Sequence, residues 1–180
     1  MNDTNNTDSL FVLGGCRSGK SRYAEEWITS RFKRKIFVAT LAAAQNDTEM
    51  KNRVELHRKR RDDSWQTVEE PLHLASTLQQ KQNDADVILI DCISMWISNC
   101  LLAEMCDATI EKEVRHLAAT VGNLVVPVVL VANEVGLGLV PDNTLGRRFR
   151  DLAGWTNQQL AAACKTVIFV TAGLPLTLKQ

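Results

Sequence analysis

A segment near the start of the chain, residues 14–21, reads GGCRSGKS and has the spacing G-x-x-x-x-G-K-[ST]. An apolar run comes directly before it, and an amphipathic helical pattern follows it. Glycines let a backbone turn its N–H groups toward phosphate oxygens, and the N-terminus of the following helix adds positive potential. The segment is therefore predicted to be a nucleotide-binding P-loop. Its predicted phosphate contacts are Gly14, Gly15, Cys16, Arg17, Ser18, Gly19, Lys20 and Ser21.

The last two residues of this segment carry the chemistry of phosphoryl transfer. Lys20 is expected to reach the β- and γ-phosphates, and the Ser21 hydroxyl is expected to bind Mg²⁺. Asp91 is the predicted second metal ligand, because it ends the apolar, strand-like run 87–91 in the manner of a Walker B carboxylate. The residues leave one alternative open, in which Asp91 caps the helix that follows it.

A histidine among arginines is the candidate nucleophile. Residues 47–62 are predicted to form a helix in which His57 shares one face with Met50 and Val54. The basic residues around it would lower the pKa of the imidazole, and guanidinium groups bind phosphate oxygens. A neutral imidazole is the nucleophilic form. A packing role is the commoner one for a histidine on such a helix, so from the residues alone both interpretations stay open.

The composition argues against nucleic acid and membrane partners. The chain has 21 basic and 21 acidic residues, so no large electrostatic attraction favours DNA or RNA. Its apolar runs are shorter than the roughly 20 residues that span a bilayer. The five cysteines have neither C-x-x-C nor metal-ligand spacing, and no signal peptide is visible. Reduced thiols in a cytoplasmic protein are therefore expected.

Short β-branched runs alternate with helical patterns, which predicts an α/β fold with a mostly parallel sheet flanked by helices. The 180 residues suffice for a single RecA-like P-loop domain over residues 10–180, preceded by a disordered polar leader at residues 1–9. The link Gly173-Leu174-Pro175 is too short for a parallel crossover, so the chain is predicted to end in an antiparallel edge hairpin. The predicted strands are residues 10–13, 35–40, 87–91, 125–132, 166–172 and 176–179.

Ligands of such sheets bind beyond the carboxyl ends of the strands, so the residues that follow each strand are candidates for chemistry. Residues 133–138, Asn-Glu-Val-Gly-Leu-Gly, are either a loop that a ligand approaches or a plain turn. Glu134 is a conceivable general base there, and equally a helix-capping or ion-paired residue.

Several motifs taken together resemble those of one enzyme family over nearly all of residues 10–179. The motifs are residues 14–21, Arg53-Val54 with His57-Arg58 and Arg61, residues 65–71, residues 91–96 with Ser98-Asn99, residues 133–141, Leu145-Gly146-Arg147, Phe149-Arg150-Asp151, Ala153-Gly154 and Asn157-Gln158. In this combination they resemble the bifunctional adenosylcobinamide kinases/adenosylcobinamide-phosphate guanylyltransferases of cobalamin biosynthesis.

The resemblance implies two reactions. A nucleoside triphosphate, ATP or GTP, phosphorylates adenosylcobinamide; GTP then forms a GMP-histidine, and GMP passes to adenosylcobinamide phosphate to give adenosylcobinamide-GDP. The guanylylated residue falls on His57, with Arg58 and Arg61 as phosphate contacts, and Glu69 and Asp91 as nucleotide or metal contacts. The resemblance also implies a homo-oligomer, with a trimer as the expected form.

Two residues depart from the family's usual pattern, and two others are expected to take part in assembly. Asp62 stands where the family commonly has proline, and Cys16 fills a P-loop position that a small residue often occupies, which makes the site sensitive to thiol reagents. Trp96 and Ile97 are expected to be exposed and to suit a subunit contact.

Two other functions fit the P-loop without the resemblance. A simple small-molecule kinase would use no covalent intermediate, and a GTP-binding switch would bind nucleotide without turning over a corrinoid.

Overall fold

A computed structural model describes residues 8–41 and 63–180, which form seven strands and five helices. The strands are β1 (Leu10–Gly14), β2 (Lys35–Ala39), β3 (Trp65–Glu69), β4 (Val87–Asp91), β5 (Val128–Asn133), β6 (Thr166–Thr171) and β7 (Leu174–Lys179). The helices are α1 (Lys20–Thr29), α2 (Leu74–Lys81), α3 (Ile93–Leu102), α4 (Asp107–Asn123) and α5 (Thr144–Ala163).

The strands form one sheet in the order β3-β2-β4-β5-β1-β6-β7. Neighbouring strands from β3 to β6 run parallel, and β7 pairs antiparallel with β6. This confirms the predicted α/β architecture with its antiparallel C-terminal edge. The carboxyl ends of the parallel strands meet at one edge of the sheet, where the P-loop begins.

Successive side chains of each strand point to opposite faces of the sheet, so the core is divided between the two faces. On one face, Leu10 and Val12 pack with Ala24 and Ile28 of α1. On the opposite face, alternate strand residues such as Phe11 pack against α2, α3, α4 and α5. The helix that follows the P-loop, α1, therefore packs against one face of the sheet.

Two of the parallel strands, β5 and β3, differ most from the prediction. β5 begins at Val128 and not at residue 125, because Pro127 has no N–H group to donate to the sheet. β3 was not predicted as a strand. It contributes two partly buried apolar side chains, Trp65 and Val68, to an edge position, so its sequence lacks the apolar run of a central strand.

The C-terminal hairpin turns at Ala172 and Gly173, both of which have positive φ angles, 50° and 81°. Two such residues form the tight turn that suits a hairpin. β7 therefore starts at Leu174, two residues earlier than predicted, and Pro175 lies within the strand. Proline is tolerated there because β7 is the edge of the sheet.

The prediction that Trp96 and Ile97 are exposed is wrong. Both belong to α3, and they are 1% and 0% exposed. The ring nitrogen of Trp96 donates to the carbonyl oxygen of Leu72 at 2.8 Å. α3 carries a mostly apolar sequence and packs within the core, so these residues are not available for a subunit contact.

The start of the domain is anchored on β6. Ser9 is buried; its carbonyl oxygen accepts from Thr166 N, and its hydroxyl accepts from Lys165 N. Asp8 forms an ion pair with Lys165. Residues 8 and 9, predicted to belong to the leader, thus contact the folded chain, and residues 1–7 lie outside the described part. Within the described residues, every helix is too short or too polar to cross a bilayer.

Candidate active site

The P-loop connects the end of β1 to the first turn of α1. Inside the loop, Ser18 N donates to Gly15 O at 3.3 Å. Gly19 stands at the N-cap position of α1 with φ 100°, a left-handed conformation that glycine adopts without strain. Among the described residues, no side chain caps this helix terminus. Its N–H groups are therefore oriented as an anion site requires.

Gly14 and Gly15 have different surroundings. A Cβ atom on Gly14 would overlap the carbonyl oxygen of Val170 and lie 2.5 Å from Ser18 Oγ, whereas one on Gly15 would meet no described atom within 4 Å. Gly14 is thus needed for close packing against β6, and Gly15 lies on the open side of the loop. The turn between β6 and β7 also holds the P-loop in place, because Gly173 N donates to Ser18 O at 2.8 Å.

Lys20 places its ammonium group inside the loop. The residue is 9% exposed, and its Nζ donates to Gly15 O at 3.1 Å. A lysine ammonium held against the backbone of a P-loop is the arrangement that binds the terminal phosphates of a nucleotide. Ser21, the next residue of α1, is partly exposed beside it.

Asp91 is the last residue of β4 and is partly exposed at the carboxyl edge of the sheet. It shares a sheet face with Val87 and Leu89, which pack in the same cluster as α1. β4 and β1 are separated only by β5, so the two strands are about 10 Å apart across the sheet, and Gly14 lies two register positions beyond Asp91 along them. The structure therefore brings the carboxylate to the same face and edge as the P-loop.

The alternative role for Asp91, capping the next helix, does not fit the geometry. The N-cap residue of α3 is Cys92 and not Asp91, and within the described part of the chain the Cys92 side chain makes no capping bond. Burial, and then the nearby Asp91 charge, raise the pKa of the Cys92 thiol to about 12. The thiol beside the carboxylate is consequently neutral.

The stretch after β5 is a structured turn. Glu134 N donates to Gly14 O at 3.0 Å, which ties it to the start of the P-loop. Glu134 Oε1 accepts from Gly136 N at 2.6 Å, and Arg150 donates to Gly136 O at 2.7 Å. The Glu134 carboxylate thus holds its own turn, which favours a structural role over that of a general base.

Glu69 ends β3 at the same edge but far from the P-loop. The order β3-β2-β4-β5-β1 separates it from Gly14 by four strand spacings, about 19 Å. The structure does not bring it to the phosphate site. Its neighbour Glu70 has a clear structural role that its sequence context did not reveal, since its carboxylate accepts from Leu72 N and His73 N ahead of α2.

The principal nucleophile candidate, His57, lies outside the described residues, as do Arg58 and Arg61. Their roles stay predictions. Two other polar residues lie at the same edge: Thr40 after β2, for which the sequence suggested no role, and Asn133 at the end of β5, which was named only as the first residue of the stretch 133–138. The sequence did carry a signal for both residues, because each is a polar residue that directly follows the apolar part of a strand.

The fold and the P-loop define an α/β nucleotide-binding domain of the P-loop class. Solved structures with this fold include a Pyrococcus horikoshii OT3 protein with a TM-score of 0.57 and 9% sequence identity, covering 96% of this chain and 86% of that chain. A KaiC-like protein from the same organism has a TM-score of 0.51 and 12% identity, covering 90% of this chain and 70% of that chain. At these identities the similarity concerns the fold alone.

The chain belongs to the cobinamide kinase/cobinamide phosphate guanyltransferase family, whose model matches residues 10–178. It is 42% identical to the bifunctional adenosylcobalamin biosynthesis protein CobP of Pseudomonas aeruginosa, over 94% of this chain and 96% of that protein. It is 37% identical to the bifunctional adenosylcobalamin biosynthesis protein CobU of Escherichia coli, over 94% of this chain and 99% of that protein. The CobU of Salmonella typhimurium is 36% identical over the same shares.

Proposed function

We propose that the chain phosphorylates adenosylcobinamide and then transfers GMP from GTP to adenosylcobinamide phosphate through a GMP-histidine at His57. The observation that carries the proposal is the position of the Lys20 ammonium within the P-loop, on the sheet face that Asp91 shares. The membership of residues 10–178 in the family supplies the substrate class.

The kinase half needs positioning and charge, not covalent help from the protein. The substrate hydroxyl oxygen forms a bond to the γ-phosphorus of ATP or GTP, the bond to the nucleoside diphosphate breaks, and the hydroxyl proton passes to solvent. Lys20 and the N–H groups at the start of α1 bind the oxygens on which charge accumulates.

Mg²⁺ fits the donors available in this site. The Ser21 hydroxyl and the Asp91 carboxylate are hard oxygen donors, the type that this cation prefers. When bound, the cation neutralises negative charge on the phosphate oxygens. Thr40 supports the Asp91 end of the site through its hydrogen bonds to Cys92.

The guanylyl half divides one displacement into two. A neutral His57 imidazole nitrogen attacks the α-phosphorus of GTP, a phosphorus–nitrogen bond forms, and pyrophosphate leaves. The phosphate oxygen of adenosylcobinamide phosphate then attacks the same phosphorus and releases the imidazole. The division keeps the transfer potential of the nucleotide in the protein-bound group. Arg58 and Arg61, close to His57 in sequence, are the proposed contacts for the α-phosphate or the leaving pyrophosphate.

Labelling the protein tests this proposal. Wild-type protein incubated with α-labelled GTP and Mg²⁺ should acquire an acid-labile, base-stable label, and His57→Asn should lose it. His116→Asn is the matched control, because His116 is exposed on α4. Label that survives in His57→Asn would contradict the assignment of the nucleophile.

The same assay separates the two alternatives. Phosphorylated cobinamide without protein label would indicate a simple kinase. GTP binding without turnover of either corrinoid would indicate a nucleotide-dependent switch.

We also propose a homo-oligomer in the cytoplasm, with a trimer as the form that the family resemblance implies. Leu174, Leu176 and Leu178 alternate along the edge strand β7, and each is more than half exposed. A row of exposed leucines is typical of a surface that a partner covers. All five cysteines are unpaired, as a reducing compartment requires.

Light scattering tests the assembly. Leu174→Glu and Leu176→Glu should lower the molar mass in solution toward that of one chain. Leu102→Glu is the control, because Leu102 is 71% exposed at the end of α3, away from β7. An unchanged mass in the two β7 variants would rule out this surface as the interface.

A further inference from the structure

Asn133 lies between the two strands that carry the phosphate chemistry. β5 separates β4, which ends at Asp91, from β1, which ends at Gly14. In the register of the sheet, Asn133 pairs with Gly14, and Asp91 pairs with Val131. Asn133 therefore lies two residues further along the strand direction than Asp91, and it is directly beside the start of the P-loop.

The side chain of Asn133 is on the face where the nucleotide binds. Val129 and Val131 of β5 pack in the cluster that contains α1, and side chains two residues apart share a face. By the same alternation, Asp91 follows Leu89 on that face. The Asn133 carboxamide and the Asp91 carboxylate thus flank the start of α1 from the same side of the sheet.

The backbone of Asn133 is fixed by its neighbours. Its N–H donates to Ser94 Oγ at 2.7 Å, and its carbonyl oxygen accepts from Asn157 Nδ2 at 3.4 Å. The N–H of the next residue, Glu134, donates to Gly14 O. The backbone from which the Asn133 side chain projects is therefore held from α3, α5 and the P-loop at once.

The carboxamide itself is not satisfied by the described part of the protein. Asn133 Oδ1 is buried and has no hydrogen-bond partner, although the residue as a whole is partly exposed. A buried polar atom without a partner is unfavourable and calls for an explanation. The other end of the carboxamide, the amide nitrogen with its two N–H donors, is not among the buried unpaired atoms and is the end that can bond to an anion.

We propose that Asn133 is a further catalytic residue, whose amide nitrogen donates a hydrogen bond to the γ-phosphoryl group during its transfer. The inference rests on the proposed kinase activity. It assigns to β5 the residue that contacts the phosphoryl group from the sheet. Lys20 and the α1 terminus bind the phosphoryl oxygens from the loop, and Asn133 binds one from the sheet. The bond strengthens as charge develops on the transferring group, so it lowers the barrier more than it tightens nucleotide binding.

The test compares variants of the same shape in the complete protein, with γ-labelled ATP and adenosylcobinamide as substrates. Asn133→Asp replaces the N–H donors with a carboxylate of equal size that repels phosphate. We expect kcat of phosphoryl transfer to fall at least about 100-fold at pH 7.5, with KM for ATP changed less than about threefold. Lowering the pH should restore part of the activity of this variant relative to wild type, because a protonated carboxyl regains a donor.

Asn133→Ala provides the second variant and should lose about 10- to 100-fold in kcat. Asn123→Ala is the control, since that asparagine is exposed at the end of α4 and bonds only to Ala119 O among the contacts described. Circular dichroism and urea unfolding identify any variant that does not fold, and the other variant then decides the outcome.

Two results separate this inference from the proposed function. If wild-type protein transfers no phosphate to adenosylcobinamide, the kinase proposal fails, and the Asn133 inference fails with it. If the wild type is active and a folded Asn133 variant keeps kcat within about twofold, only the Asn133 inference is overturned. A fall of kcat in Asn133→Asp without any recovery at lower pH would also overturn the Asn133 inference and leave the kinase proposal standing.

Discussion

Thr40 and Cys92 exchange two hydrogen bonds through a single hydroxyl group. Thr40 Oγ1 donates to Cys92 O at 2.8 Å and accepts from Cys92 N at 2.9 Å. Thr40 is 0% exposed and follows β2, whereas Cys92 follows Asp91 at the end of the neighbouring strand. The backbone just after the carboxylate proposed to bind the metal is therefore fixed by a buried side chain from the next strand.

Replacing Thr40 with valine should weaken both folding and the proposed metal site. Valine has the shape of threonine but leaves Cys92 N without its Thr40 partner and Cys92 O with only the bond from Trp96 N, at a cost of about 2 kcal/mol. We expect the free energy of unfolding in urea to fall by about this amount. Nucleotide affinity should fall more in the presence of Mg²⁺ than in its absence, because the backbone that positions Asp91 loosens.

Thr40→Ser is the matched control, because it keeps the hydroxyl and removes one methyl group. It should stay closer to wild type than Thr40→Val in both measurements. A Thr40→Val variant that is as stable as wild type would show that the paired hydrogen bonds contribute nothing to folding.

Two adjacent glycines allow a test of packing within the P-loop. Alanine at position 14 would meet the Val170 carbonyl oxygen and Ser18 Oγ, whereas alanine at position 15 would meet none of the described atoms within 4 Å. We expect Gly14→Ala to destabilise the protein by about 1–3 kcal/mol, as overpacking does. Gly15→Ala should change the unfolding free energy by less than about 0.5 kcal/mol, as surface substitutions usually do.

Thermal and urea unfolding of the two variants provide the measurement. Gly15→Ala can also be assayed for nucleotide binding, because its methyl group would project on the open side of the loop that is proposed to contact the phosphates. Similar stability losses in both variants would show that the close contact of Gly14 with β6 does not limit the size of the side chain.

The P-loop and the position of Asp91 at a strand end were predictable from the sequence because their signals are local. The P-loop needs only the glycine, lysine and serine spacing of residues 14–21, and Asp91 is marked by the buried strand before it. The turn at Ala172 and Gly173 likewise follows from the shortness of the connection. In each case neighbouring residues decide the conformation, so no knowledge of distant contacts is required.

What the sequence could not show concerns tertiary packing. An amphipathic pattern identifies the buried face of a helix, but α3 is apolar on most sides, so the exposure of Trp96 and Ile97 depends on what surrounds the whole helix. The distance of Glu69 from the P-loop depends on strand order, which a single sequence does not reveal. Asn133 shows its unpaired oxygen only once α3 and α5 are placed beside it.

Lys20 should be essential for nucleotide use but not for folding. Its ammonium group bonds to one carbonyl oxygen of the loop, so a methionine of similar length keeps most of the packing and removes the charge. We expect Lys20→Met to reduce phosphoryl transfer at least about 100-fold, since a charge on the transferring group loses its counterion.

Lys112→Met is the matched control, because Lys112 is exposed on α4. It removes the same charge from the chain and should leave kcat/KM within about twofold of wild type. Steady-state assays with ATP and with GTP check both variants. Comparable activity in Lys20→Met and wild type would exclude Lys20 from the chemistry.

The five cysteines should divide into a reactive and an unreactive set. Cys16 and Cys106 are exposed, whereas Cys100 and Cys164 are buried and Cys92 is partly buried. Burial raises the pKa of Cys92 and Cys164 to about 12, and that of Cys100 to about 11. These three thiols stay protonated at neutral pH and should not react with iodoacetamide in the folded protein, because only the thiolate is nucleophilic.

Cys106 should react at lower pH than an ordinary thiol. Its hydrogen bond with the Thr109 side chain lowers its pKa from the usual 9.0 by stabilising the thiolate. The alkylation rate follows the thiolate fraction, which rises as the pH passes upward through the pKa, so the lowered pKa moves the midpoint of the rate profile below pH 9.0. Thr109→Val removes the hydrogen bond and should return the midpoint toward that value.

Nucleotide should protect Cys16 and leave Cys106 reactive. Cys16 lies in the loop proposed to contact the phosphates, whereas Cys106 lies at the N-cap of α4. Mass spectrometry of peptides alkylated with and without GTP and Mg²⁺ compares the two thiols in a single sample, so Cys106 serves as the internal control for reagent and pH. Equal labelling of Cys16 in both samples would mean that the bound nucleotide does not cover this part of the loop.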